Sequence, residues 1–308
     1  MLTYLQAIIL GLVQGVTELF PVSSLGHAVL IVNLFNWTNL SAQAKSGSST
    51  LLNLLVMMHV ATALALIIFY RAQWARIVRG FFRSLDLNKR TVHIGNDGDA
   101  KLAWLLIAAT IPGGLMGLLF DHKLRVLFGT AFFAIIFIIL NGILLIRGDK
   151  LLTKAELDRP RQRGAGTDEL AVAKTTRVVS DHLTIERAAL IGFAQVFAFI
   201  AGLSRSGITM LAGLRSGLDH QDAARFSFLL ATPLILLAGL YKLPDVLAHA
   251  GKYGGQILVG SLLAGIAAYL SVRYLDKYFR SRSLRPFGVY CISFGVFMLL
   301  VGIIRGAP

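Results

Sequence analysis

The amino-acid sequence predicts an all-α polytopic membrane protein, with about six transmembrane helices and two re-entrant helix hairpins in an inverted-topology repeat. Three observations predict it. The 308-residue chain is 56% hydrophobic and only 15% charged, where a soluble domain carries about 25% charged residues, so much of its surface must face lipid. Its basic residues, which give a net charge of +14, are gathered into a few polar stretches between long apolar runs. Two further apolar regions are each broken at the centre by small and polar residues, and the two breaks align with each other.

A membrane-spanning helix needs about 20 mostly apolar residues. Six stretches meet that requirement: Leu51–Tyr70, Leu102–Phe120, Val126–Ile146, Phe226–Leu243, Gln256–Val272 and Val289–Ile304. The regions Leu2–Phe35 and Ile185–Leu218 differ from these. PVSSLGH at 21–27 interrupts the first and AGLSRSG at 201–207 the second. Each half is too short to cross a bilayer, and such pairs read as re-entrant hairpins, whose irregular backbone is tolerated only inside protein or beside a watery cavity. Read as full crossings instead, they would add two or four spans.

Arg71, Arg76, Arg79, Arg83, Lys89 and Arg90 follow the first span. Arg147, Lys150, Lys154, Arg159, Arg161 and Arg163 follow the third, and Arg273, Lys277, Arg280, Arg282 and Arg285 follow the fifth. If both broken regions return to the side they entered, all three loops share one side, which the positive-inside rule assigns to the cytoplasm, with both chain ends outside. This distribution argues against nucleic-acid binding, which gathers basic residues on one face. Residues 148–181, rich in charge, Gly and Thr, read as a flexible cytoplasmic linker. The lone Cys291 excludes a disulfide framework. The N-terminus lacks a basic segment and a small-residue cleavage site, so a cleaved signal peptide is not expected.

The two broken regions match at a fixed offset of 181 residues: Gly11 with Gly192, Gln14 with Gln195, Ser23 with Ser204 and Gly26 with Gly207. Three spans follow each. An odd number inverts the second half relative to the first, giving a first repeat at 1–147, the linker at 148–183 and a second repeat at 184–308.

The chemistry lies in the two breaks. Gln14 and Glu18, four residues apart, share one helix face, and an ionisable Glu inside a membrane segment is a candidate functional group. Pro21 ends that half-helix. Ser23 and Ser24 can cap the next one, whose free N–H groups at Leu25, Gly26 and His27 favour an anion. In the second break Ser204 and Ser206 can cap, Gly202 and Gly207 allow close backbone approach, Thr209 adds a hydroxyl, and Arg205 is a bidentate partner for phosphate. An Arg205–Glu18 ion pair is also an option, into which a ligand could exchange. Together these groups suit phosphoryl transfer. One carboxylate beside an amide can hold a divalent cation only if the substrate supplies most of the ligands. His59, within a span, reads as a packed polar residue rather than a ligand, and His93, His122, His182, His220 and His249 fall in or near loops.

QGVTELFPVSSLGH at 14–27 and AGLSRSGITM at 201–210 resemble the two motifs of the BacA-type undecaprenyl-diphosphate phosphatases, the bacitracin-resistance family. IPGGLMGLLF at 111–120 and GLDHQDAARFSFLLATPLILLAGL at 217–240 extend the resemblance to nearly the whole chain apart from loops. The resemblance implies a plasma-membrane hydrolase that converts undecaprenyl diphosphate to the monophosphate carrier of cell-wall synthesis, with its site open to the extracytoplasmic side. It implies Ser24 as nucleophile ahead of Ser23, with His27 as acid or base. Glu18 and Gln14 would hold a divalent cation (Mg2+ or Ca2+), and Ser204, Arg205, Ser206 and Thr209 would grip the diphosphate, with Gly26, Gly202 and Gly207 lining it. A homodimer is compatible with all of this. Ala201 stands where the family usually has Pro, Gln14 where many members have Glu, and the loop at 150–180 is longer than the family's.

A polyprenyl-phosphate transporter or flippase is the alternative, because inverted repeats with broken helices do not by themselves require catalysis. The other membrane lipid phosphatases place a His five residues beyond their Ser-Arg pair, near where this chain has Leu211.

Overall fold

The structure is a computed structural model and describes residues 2–37, 40, 49–86, 91–92, 97–128, 130–157, 179 and 182–305. It is almost wholly helical. In chain order the helices are α1 (Tyr4–Thr17), α2 (Ser24–Leu34), α3 (Ser49–Phe69), α4 (Arg71–Ser84), α5 (Gly98–Phe128), α6 (Ala131–Leu157), α7 (Ile185–Ala194), α8 (Arg205–Arg215), α9 (His220–Tyr278) and α10 (Arg285–Ile304). A 3-10 turn at Gln195–Phe199 extends α7, and β1 (Leu85–Asp86) pairs antiparallel with β2 (Thr91–Val92) between α4 and α5.

Among the described residues, five segments are long and apolar enough to cross a membrane: Gly98–Leu119, Ala131–Leu151, His220–Ala248, Gly251–Tyr278 and Arg285–Ile304. Counting the bent pair α3–α4 as one span makes six. Their outward faces are apolar, with Leu118, Leu240, Leu262 and Ile303 all more than half exposed, as lipid contact requires.

Several boundaries differ from those expected. The basic stretch after the first span is not a loop. Its residues 71–84 form α4, which leaves α3 at 87°, because Gln73, Ile77, Gly80 and Ser84 recur at helical spacing and are buried while Arg71, Arg79 and Arg83 are exposed; Lys89 and Arg90 lie outside the described residues. Residues 126–128 belong to α5, and the third span starts at Ala131. The expected linker begins as helix, since α6 continues to Leu157. Of that linker, residues 158–178, 180 and 181 lie outside the described residues. The fourth and fifth spans are one run of helical backbone, α9. It doubles back nevertheless: a Cβ on Gly239 would meet Val60 and one on Gly265 would lie 3.6 Å from the Ala61 Cβ. Twenty-six residues of straight helix would separate those glycines by about 39 Å, so α3 is held between two antiparallel halves of α9.

The two broken regions are hairpins, each of whose helices is too short to span. Thr3 and Gln6 form a capping box that starts α1, and Pro21 lies in the break after it. Ala7 and Leu10 of α1 pack in one cluster with Ala28 and Val32 of α2, so α2 runs back along α1. In the second hairpin, Arg187 near the start of α7 donates to Ser216 O at the end of α8 (3.4 Å).

These hairpins enter the bundle from opposite ends. Leu2 O accepts from Gln256 Nε2 (3.4 Å), and Leu34 O from Arg305 Nη1 (2.6 Å). The mouth of the first hairpin therefore lies with the turn of α9 and the end of α10. At the other end, Asp149 binds His220 Nε2 (2.7 Å) and Leu284 N (2.9 Å). There too Arg225 donates through Nε to Asp276 Oδ1 (2.8 Å), an oxygen shared with Tyr70. The mouth of the second hairpin, at Arg187 and Ser216, is at this basic end. Residues 181 apart play the same part in the two hairpins. A Cβ on Gly11 would run into the Gly260 carbonyl and one on Gly192 into that of Ala109, so both first half-helices press backbone to backbone on a span.

Candidate functional site

The tips of the two hairpins meet inside the bundle and are stitched by polar contacts. Ser23 caps α2 by accepting from Gly26 N (3.2 Å), and Ser204 caps α8 by accepting from Gly207 N (3.2 Å). Ser23 Oγ also accepts from Gly202 N in the other tip (3.2 Å). Asn141 of α6 donates to Pro21 O (3.0 Å) and accepts from Ser204 N (3.0 Å). Ser206 Oγ donates to Phe20 O (3.2 Å). Each capping serine uses one amide, leaving the first two of each half-helix, at Ser24 and Leu25 and at Arg205 and Ser206, without an intrahelical partner. Two helix N-termini so face one region, a favourable setting for an anion.

Backbone geometry at the tips is unusual. Ser23 has φ 74° and Gly202 φ 108°. A non-glycine residue in that region is held at a cost of about 1–3 kcal/mol, here by the two amides that Ser23 Oγ accepts. Gly202 is the residue type its position requires. A Cβ on Gly26 would lie 2.9 Å from Gly202 Cα, so the tips touch at two glycines.

Glu18, 7% exposed, is the centre of the polar cluster. Its Oε2 accepts from Ser24 Oγ at 2.6 Å and from Gln14 Nε2 at 3.1 Å. Its Oε1 accepts from Arg205 Nη2 at 3.1 Å, across the contact between hairpins. His59 Nε2 lies 3.2 Å from Oε2. Arg205 Nε is buried without a partner among the described residues, leaving a guanidinium N–H to meet an incoming oxygen.

Of the residues singled out in the sequence, Gln14, Glu18, Ser24 and Arg205 are thus brought together directly. Ser23, Gly26, Gly202 and Ser204 build the tips that hold them. Ser206 and Thr209 are engaged by the protein itself: Thr209 Oγ1 donates to Arg205 O (2.8 Å) and meets Ser227 Oγ (2.6 Å). Gly207 lets α8 pack on Pro21 and Leu145. Both ring nitrogens of His27 are engaged by residues other than Ser24. Its Nδ1 donates to Ser23 O (2.7 Å), its Nε2 meets Tyr290 Oη (2.8 Å), and its ring stacks on Phe294 at 4.6 Å.

Sequence reasoning missed His59, Asn141, Ser227 and Tyr290. A polar residue within an apolar span was the available signal for the first two, but it does not name the partner.

The fit of a divalent cation turns on Gln14 and Glu18. Among the described residues no three His, Cys, Asp or Glu side chains cluster as a metal site. Gln14 Oε1, however, is buried without a hydrogen-bond partner among these residues, beside the Glu18 carboxylate. Those two oxygens fit a cation that takes its remaining ligands from a diphosphate.

The model of the family described as bacitracin resistance protein BacA matches residues 7–297. Undecaprenyl-diphosphatase 2 of Frankia alni is 44% identical over 96% of this chain and 96% of its own. The undecaprenyl-diphosphatase of Mycolicibacterium paratuberculosis is 46% identical over 96% and 95%, and undecaprenyl-diphosphatase 2 of Chromobacterium violaceum 39% identical over 96% and 98%.

Proposed function

The chain belongs to the bacitracin resistance protein BacA family, and on that premise we propose how its geometry performs the reaction. It is a membrane-embedded undecaprenyl-diphosphatase, releasing one phosphate from undecaprenyl diphosphate to leave undecaprenyl phosphate for reuse in cell-wall synthesis. The transport alternative has no observation in its favour. The observation that carries the mechanism is the 2.6 Å bond from Ser24 Oγ to Glu18 Oε2, a nucleophile already resting on its base.

In this reading the diphosphate enters between the two helix N-termini. Arg205 exchanges from Glu18 Oε1 to the terminal phosphate, and its unpartnered Nε supplies a second donor. Ser24 Oγ attacks the terminal phosphorus as Glu18 takes its proton. The bridging P–O bond breaks, undecaprenyl phosphate leaves, and Glu18 passes the proton to the departing oxygen. Water then attacks the phosphoserine, giving a proton to Glu18, which returns it to Ser24 Oγ as phosphate departs. Glu18 and Gln14 would hold a divalent cation (Mg2+ or Ca2+), which when bound offsets negative charge on the diphosphate. Ser204, Ser206 and Thr209 keep the second tip rigid around Arg205, with their hydroxyls at the edge of the phosphate site. His27 braces the first turn of α2 through Ser23 O, and an acid–base part for it requires the ring to leave Tyr290.

The inverted pair of repeats, at 1–147 and 184–308, is part of the proposal and is supported by the hairpins entering from opposite ends. Arg71, Arg76, Arg79, Arg273, Lys277 and Arg280 belong to the end that the positive-inside rule places in the cytoplasm of the plasma membrane. The site then opens to the extracytoplasmic side. Purified protein given undecaprenyl diphosphate tests the reading. It is expected to release one phosphate and one undecaprenyl phosphate per lipid consumed, and lipid recovered intact would overturn it.

A further inference from the structure

We propose that His59 is a positioning residue of the hydrolytic site, holding Glu18 Oε2 where it meets the Ser24 hydroxyl. The inference rests on the reading of Glu18 and Ser24 given above, and concerns a residue outside both hairpins and both motifs.

The Glu18 carboxylate must keep one oxygen on Ser24 while the other is released to substrate. Its other neighbours do not secure that. Gln14 is one turn back on the same chain segment and moves with Glu18. Arg205 leaves Glu18 Oε1 when it takes the phosphate. Ser24 gives up its proton in the reaction. His59 comes from a separate element, α3, and its Nε2 stands 3.2 Å from Oε2.

His59 is itself fixed. Its Nδ1 lies 2.6 Å from Leu55 O, one turn back on α3. A carbonyl oxygen and a carboxylate oxygen only accept, so both ring nitrogens donate, Nδ1 to Leu55 O and Nε2 to Glu18 Oε2, and the ring that makes this contact is the doubly protonated form. The helix that carries it is clamped on two sides by α9, through Gly239 at Val60 and Gly265 at Ala61. The contact therefore ties a carboxylate on a hairpin tip to the rigid frame of long helices. Its exposure suits that role. The His59 side chain is 28% accessible and that of Glu18 6%, so the ring forms the outer wall of the carboxylate's chamber.

Two amide substitutions separate the bonds that His59 makes. Asparagine keeps a donor near Nδ1 for Leu55 O but is too short to reach Glu18, whereas glutamine places an amide N–H near Nε2. Steady-state phosphate release from undecaprenyl diphosphate is measured for the wild type, His59→Asn, His59→Gln and Ser24→Ala, with the thermal midpoint of each purified protein. His59→Asn is expected to lower kcat about 100-fold, the scale of a small misplacement of a catalytic group. KM should stay within about twofold, and His59→Gln should return kcat to within about fivefold of the wild type. The proposal is overturned if His59→Asn keeps the wild-type kcat, if it changes KM alone, or if His59→Gln falls as far as His59→Asn. A wild type that releases no phosphate refutes the hydrolase reading instead, and Ser24→Ala sets the background against which both His59 variants are read.

Discussion

Glu18 and Arg205, 187 residues apart in the chain, join the two hairpin tips through a bond of 3.1 Å between Oε1 and Nη2. One partner comes from a half-helix entering at the turn of α9, the other from a half-helix entering at the basic end. The pair holds the tips together, and in the proposed mechanism it gives up its guanidinium to the diphosphate.

Arg205→Lys is therefore expected to disable the site while preserving charge. An ammonium is a point charge and cannot present the planar fork that meets two phosphate oxygens. Turnover should fall about 100-fold or more, as when a preorganised transition-state donor is removed. Steady-state phosphate release at saturating lipid measures it.

The contact between tips predicts a stability effect. Gly26→Ala would place a Cβ 2.9 Å from Gly202 Cα, and Gly202→Ala would place one 2.6 Å from Ala134 O in a residue whose φ is +108°. Each should cost about 1–3 kcal/mol as overpacking, read as a fall in thermal midpoint of the detergent-solubilised protein. Gly251→Ala, with nothing within 4 Å of the added Cβ, should leave the midpoint unchanged or slightly raised.

Asn141 predicts a loss of stability from hydrogen bonding alone. Asn141→Leu would strand Pro21 O and Ser204 N, both now paired with it at 3.0 Å. Each stranded buried group costs about 1–3 kcal/mol. The thermal midpoint should fall, and phosphate release with it, because both tips lose the same brace.

These expectations rest on features of unequal legibility. The two hairpins are readable in the sequence because Pro21, Gly202 and their neighbouring serines cannot continue a helix, and because each flanking half is too short to span. Ser24, Glu18 and Arg205 are readable as charged or nucleophilic groups where lipid forbids idle ones. Helix α4 is obscured by its arginines, which look like a loop until Gln73, Ile77, Gly80 and Ser84 are placed on one face. The polar stretch between Leu243 and Gln256 shows in the sequence where α9 doubles back, but not that the chain keeps helical backbone there, through Pro244. His59 looks like a packed polar residue because a single histidine in an apolar run does not reveal a partner 41 residues away on a hairpin tip. The orientation of His27 toward Tyr290 depends on the packing of α10 against α6 and α2, which no local pattern encodes.

The proposed cation site at Gln14 and Glu18 makes a prediction of its own. A chelator should suppress phosphate release and Mg2+ or Ca2+ should restore it. Gln14→Glu adds a negative charge next to Glu18 and should lower the cation concentration for half-maximal rate, while Gln14→Ala should raise it. A titration of rate against free cation for the three proteins checks the order, and identical curves would remove Gln14 from the cation's surroundings.

The most direct test of the account is phosphate release from undecaprenyl diphosphate by purified Ser24→Ala beside the wild type. Ser24 Oγ is the hydroxyl resting on Glu18 at 2.6 Å. The account predicts a variant that remains folded, with an unchanged thermal midpoint, and turns over about 1,000-fold or more slowly, the scale set by deleting a catalytic nucleophile. A folded Ser24→Ala protein that releases phosphate within about tenfold of the wild-type rate would contradict it.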